Sequence, residues 1–238
     1  MDFKFKLVDY EDDLFAGRVA VATDGVLPDE LLEGEFLKLK IKMPLQIYST
    51  KMAFYNYCQF DMGDIEGFLL IMLRNGEYRL GCPDQTNSGV GVDAHPEKHP
   101  GEFSDVIGDS HCHQGMRWSG HSGVDDADEA KHRHGIFMVL SSDETGFSIF
   151  STSITIYGYA KGRKFYLKPE DVFDMSSRRG EMTFPDEWKK RIRARTNWME
   201  TLDKEDKKFV EEKEYKKRSR GFWRFGKKEF SLFGREEV

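Results

Sequence analysis

Cysteine is scarce in this chain. Among 238 residues there are three, Cys58, Cys82 and Cys112, an odd and scattered set that gives no disulfide framework. A reducing, cytoplasmic setting is therefore the expectation. Long apolar runs are also missing. None approaches the roughly 20 residues that a helix needs to cross a bilayer. The opening Met1-Asp-Phe-Lys-Phe-Lys alternates apolar and charged residues and does not read as a signal peptide. There is no internal repeat. These absences exclude a disulfide-stapled scaffold, a helical membrane protein and a repeat array.

What is present describes a soluble globular chain with a solvated portion. Hydrophobic residues make up 39% and charged residues 33%, enough apolar content for one good core with length left for an extension. The net charge of −6 is unevenly spread. Residues 186–238 hold 17 basic against 12 acidic side chains, so the rest of the chain is more acidic than the total suggests.

The pattern divides the chain into three stretches: 1–42, 43–182 and 183–238. In residues 1–42, Lys4-Phe-Lys-Leu-Val, Gly17-Arg-Val-Ala-Val-Ala and the alternating Glu35–Met43 predict a β-rich N-terminal extension. Pro44 then opens a helix, with Leu45, Tyr48, Met52 and Tyr55 at helical spacing on a core-facing stripe. Phe68–Leu73 reads as a strand turning through Asn75-Gly76 into Glu77-Tyr-Arg-Leu-Gly. Pro83 to Pro100 reads as a long polar loop. Phe103–Gly108 reads as an apolar strand heading into a turn. Further strands are predicted at Gly135–Leu140, Phe147–Tyr157 and Gly162–Lys168, with a single helical turn from Pro169. Asp126–His134 reads as a short charged helix or turn, and Asp186–Leu202 as a helix. The nearly all-charged 203–218 is helical or disordered, and a basic, aromatic end follows at 221–233. The fold class expected is α/β or α+β.

The centre of the chain is Gly108-Asp-Ser-His-Cys-His-Gln-Gly-Met-Arg-Trp-Ser-Gly-His-Ser-Gly-Val-Asp-Asp126. Side chains alternate along a strand, so His111 and His113 share one face and can grip one small cation. Cys112 points the other way and is expected to pack in the core. Asp125 is the best candidate for a third ligand, following a glycine-rich loop, with the Ser122 hydroxyl three residues before it. Two histidines and a carboxylate leave a fourth position open, the arrangement of a hydrolytic zinc site.

His-x-His, a short loop and Ser-x-x-Asp together resemble the JAMM motif of the JAB/MPN metalloprotease family. The continuation Ser122–Glu129 is most similar to its prokaryotic and phage branch. The family motif also includes a glutamate at the start of an upstream strand, matched here by Glu66 before the run Phe68–Leu73. The likeness spans roughly residues 43–175. The loop Gln114–His121 is one residue longer than is usual in the family, and Cys112 stands where serine is common. The resemblance implies an MPN/JAB-type, cytidine-deaminase-like fold: a central mixed β-sheet flanked by helices. It implies a zinc metallopeptidase or isopeptidase cleaving next to the C-terminus of a ubiquitin-like or sulfur-carrier-like protein, with a possible E1-like partner or a phage-associated role. His111, His113 and Asp125 would hold Zn2+, Glu66 would serve as general base and proton shuttle, and Ser122 would donate to the oxyanion.

Plainer readings compete with each assignment. Two histidines can be loop residues, Glu66 a surface carboxylate and Ser122 an N-cap. Asp109 or Asp126 could orient an imidazole. His132 and His134 could form a second metal site, although they read more simply as solvated loop histidines, as does His121. The basic aromatic tail could meet nucleic acid, but its interleaved glutamates favour a docked helix or a protein partner. The alternatives to a peptidase are a non-catalytic MPN scaffold and a metal-dependent hydrolase of another amide.

Overall fold

The structure, a computed structural model, describes residues 5–22, 36–89, 91–113, 134–142, 145–148, 152–161 and 163–195. Met1–Arg195 forms one compact unit; the second unit, Thr196–Val238, lies outside the described residues.

The described elements run β1 (Phe5–Glu11), β2 (Phe15–Ala22), β3 (Phe36–Leu39), β4 (Met43–Pro44) and α1 (Leu45–Asn56), which continues into a π-helical turn, Tyr57–Asp61. Next come β5 (Phe68–Arg74), β6 (Glu77–Gly81), β7 (Asp84–Ser88), β8 (Gly91–His95), a 3-10 turn at Pro96–Lys98 and β9 (Val106–His113). The remainder is β10 (Gly135–Ser141), β11 (Ser153–Ala160), β12 (Arg163–Leu167), α2 (Pro169–Val172), β13 (Phe173–Asp174), a 3-10 segment at Asp186–Arg191 and β14 (Ile192–Ala194). This is a mixed α+β architecture with several sheets and few helices.

The central sheet has six strands in the order β12-β11-β10-β9-β5-β6. β9 and β10 pair in parallel, and every other neighbouring pair is antiparallel. β9 therefore runs through the middle of the sheet, bonded on both sides. The expected turn at Gly108 does not occur: the strand passes straight through it. Glycine is required there for close approach, since a Cβ would lie 1.7 Å from the Ile136 carbonyl oxygen. The β5–β6 hairpin turns at Asn75-Gly76, with φ of 53° and 80°, the left-handed pair that this dipeptide favours.

Helix α1 covers one face of the sheet. Of the expected stripe, Leu45, Met52 and Tyr55 are buried and Tyr48 is half-buried; Phe54 is buried beside them, and the Tyr55 hydroxyl donates to Ser110 Oγ at 2.8 Å. Lys51, also on α1, is fully buried, with Nζ 2.9 Å from Met138 Sδ. The extension expected at 1–42 supplies the three-stranded sheet β1-β2-β3, and Leu14, Phe15, Val19, Leu37 and Leu39 join the same apolar core as α1 and the central sheet. The Phe15 ring meets Phe165 of β12 edge-on at 5.0 Å.

Three local expectations are corrected. Pro83–Pro100 is not an open loop but the hairpin β7–β8 followed by a 3-10 turn. The inward positions of β7 are Gln85 and Asn87, both buried, so its alternation is hidden by their polarity. The strand expected from Phe147 begins at Ser153. The helix expected over Asp186–Leu202 is instead a 3-10 segment that ends at Arg191 and passes into β14, which pairs in parallel with β7. Trp188 is buried there against Phe54 and Phe184, so tertiary packing overrides the helical spacing. The part of that stretch beyond Arg195, the expected helix or turn at 126–133 and the charged tail lie outside the described residues.

Burial lowers the Lys51 ammonium to about 7, with Asp109 acting in the opposite direction. Between about 7 and its ordinary value of 10.5 the unfolded chain binds the extra proton, so this group adds stability as pH rises through that window. Lys51→Met should raise stability at pH 7 by about 2–4 kcal/mol. The gain should shrink as the pH approaches 10; urea denaturation of both proteins across pH 6.5–10 checks the size and the slope.

Candidate metal centre

Three successive rows cross the face of the sheet opposite α1. In the first, Asp109 of β9 lies between Leu70 of β5 and Phe137 of β10; in the second, His111 lies between Phe68 and Val139; in the third, His113 is paired with Ser141. Rows on one face are about 7 Å apart along the strand. The two imidazoles turn toward each other, with ring centroids 5.1 Å apart and Nε2 to Nε2 at 3.3 Å. His111 is 9% exposed and His113 is half-buried.

Two nitrogens bound to one tetrahedral zinc ion at about 2.05 Å stand about 3.3 Å apart. The observed Nε2 separation fits shared ligation without rearrangement. The same distance also suits a neutral pair in which one ring donates to the other.

Glu66 lies two residues ahead of β5. Cys112 N donates to the Gly67 carbonyl at 3.1 Å, which carries the β5–β9 pairing one step beyond Phe68 and His111. The regular pairing stops there, since Gly67 N donates to the Cys112 thiol rather than to a strand carbonyl. The β7–β8 hairpin holds the segment in place. Glu66 N donates to Ser88 O at 2.8 Å, and Asn87 Nδ2 donates to Glu66 O at 2.5 Å. The Gln85 amide takes the place of a strand partner for Phe68, accepting from its N–H at 3.0 Å and donating to its carbonyl at 2.9 Å. Gly67 itself is clamped, because a Cβ there would lie 2.8 Å from Cys58 Sγ and 2.9 Å from the Phe54 ring.

Cys112 points to the α1 side and is fully buried, as its alternation requires. Its thiol accepts from Gly67 N at 3.1 Å. Burial pushes that thiol well above the ordinary range, and Cys58 and Glu66 push it in the same direction. A protonated thiol on the opposite face is no ligand for the histidine side.

Ser122, Asp125, Asp126, His121 and His132 lie outside the described residues. Asp109 is described, one row from His111 on the histidine face. Among the described residues, Asp12, Asp13 and His134 form a group whose ligand atoms lie close together. Sequence reading did not connect His134 to this acidic pair, because the β1–β2 turn is more than 120 residues away in the chain. Asp12 Oδ1 already accepts from Leu14 N and Phe15 N, and Oδ2 accepts from the Tyr10 hydroxyl. His134 Nδ1 faces Asp12 at 3.7 Å and Nε2 faces Asp13 at 3.3 Å. One ion meets only one nitrogen of a ring, so this geometry is that of an imidazole between two carboxylates.

No protein-family model matches the chain, and no curated protein matches it. Among the described residues no helix is long and apolar enough to cross a membrane.

Gln85→Ala removes both bonds to the Phe68 backbone and should cost about 2–3 kcal/mol. Asp93→Ala, at an exposed position of the same hairpin, should stay within about 0.5 kcal/mol of the parent; urea denaturation of the two variants measures the difference.

Proposed function

We propose that the chain is a zinc-dependent metallopeptidase or isopeptidase of the JAB/MPN type, acting in the cytoplasm. The observation that carries this reading is the convergence of His111 and His113 Nε2 at the distance expected of two ligands to one ion, with Glu66 two residues ahead of the neighbouring strand β5. The mixed sheet, with the His-x-His strand at its centre and α1 against its other face, supports the MPN-type architecture.

In this reading His111, His113 and Asp125 would hold the ion. When bound, zinc would supply Lewis acidity toward a water molecule and the scissile carbonyl. Glu66 would take a proton from the attacking water and pass it to the departing amine. A carboxylate fixed through its own backbone to Ser88 and Asn87 can do both without moving away. The Ser122 hydroxyl donates to the oxyanion of the tetrahedral adduct. The substrate proposed is a peptide or isopeptide bond at the C-terminus of a ubiquitin-like or sulfur-carrier-like protein, with an E1-like protein as a possible partner.

Purified chain should carry about one zinc, lost in His111→Ala and His113→Ala; a non-catalytic scaffold carries none. Glu66→Gln should keep the metal while cleavage of ubiquitin-like fusions falls by about 10²-fold or more. Elemental analysis alongside cleavage assays, with and without chelator, checks both. Cleavage surviving in Glu66→Gln removes that residue from its role.

A further inference from the structure

A cavity of about 400 Å³ opens on the histidine face of the central sheet. Its floor is the first of the three rows, Leu70, Asp109 and Phe137, and Phe68 carries the floor into the row of His111. Phe103 and Val106, ahead of and at the start of β9, and Ala94 with Pro96, at the end of β8, form further walls. The surfaces are pre-positioned. Phe137 is buried and held edge-on by Tyr159 at 5.5 Å. Phe103 is flanked by His99 and by the Arg191 guanidinium, which is itself bonded through both its terminal nitrogens to Glu102.

We propose that this cavity is a subsite for an apolar side chain, aromatic or branched aliphatic, of a peptide segment that passes the histidine pair. The volume is that of a small-ligand pocket and holds such a side chain together with part of its flanking backbone. The cavity adjoins the candidate metal centre along one strand face, so a residue seated in it leaves its backbone about one or two residues from the paired imidazoles. Charge selects further. The Asp109 carboxylate lies in the floor, and His134, in the wall, is flanked by Asp12 and Asp13. An anionic side chain meets like charge there. The assignment of the occupant as a substrate residue rests on the peptidase reading; the binding of the side chain does not.

The test uses the full chain without metal and three probes: N-acetylphenylalaninamide, N-acetylleucinamide and N-acetylglycinamide. Affinity is read by NMR titration. The phenylalanine and leucine amides should bind, and the glycine amide should bind at least tenfold more weakly. Ala94→Phe and Val106→Trp fill the mouth from a half-exposed and an exposed position. Each should weaken the phenylalanine amide at least tenfold. Equal binding of all three amides, no binding of any, or phenylalanine-amide binding untouched in both filled variants overturns the proposal. A zinc-loaded cleavage assay run in parallel separates the two ideas. Side-chain binding without cleavage keeps the subsite and removes the peptidase reading, whereas cleavage with no side-chain preference does the reverse.

Discussion

The structure depends on one strand being bonded on both sides. β9 pairs in parallel with β10 and antiparallel with β5, and this fixes which side chains face which way along its length. A slip of one residue would turn His111 and His113 into the core and Cys112 out of it. The core resists that slip: Cys112 is packed behind the strand with Gly67 and Cys58, and Ser110 is bonded to Tyr55. Buried residues on one face thus hold the two imidazoles in place on the other.

The β7–β8 hairpin supplies a second restraint through polar groups. Gln85 and Asn87 are buried because their amides complete the backbone bonding of Glu66–Phe68 beyond the end of a regular ladder. Arg195 N reaches the Asn87 carbonyl at 2.7 Å, which ties β14 into the same arrangement. The segment carrying Glu66 is therefore positioned by hydrogen bonds to its backbone. Lys51 is a contrast: a buried cation on α1 that costs stability at neutral pH and has no place in the proposed reaction.

Much of the central sheet could be read from alternation and turn chemistry. Asn75-Gly76, the apolar runs of β5 and β10, the stripe on α1 and the His-x-His alternation each express a local rule that the core also obeys. The failures have separate causes, each beyond the reach of a local pattern. β7 buries glutamine and asparagine, so an apolar-alternation rule sees only a loop. At Asp186–Arg191, Trp188 is drawn against Phe54, and the chain then enters β14 where spacing suggests helix. Gly108 reads as a turn when its role is contact with the neighbouring strand. The pairing of His134 with Asp12 and Asp13 joins residues too far apart in the chain for any local pattern to reveal.

The proposed function requires that the paired Nε2 atoms share an ion rather than a proton. Zinc K-edge absorption of the zinc-loaded chain tests this most directly. Two imidazole nitrogens at about 2.0–2.1 Å are expected, with oxygen completing a four-coordinate shell, and one fewer imidazole in His111→Ala. A shell of oxygen alone, or a sulfur ligand at about 2.3 Å, would contradict it.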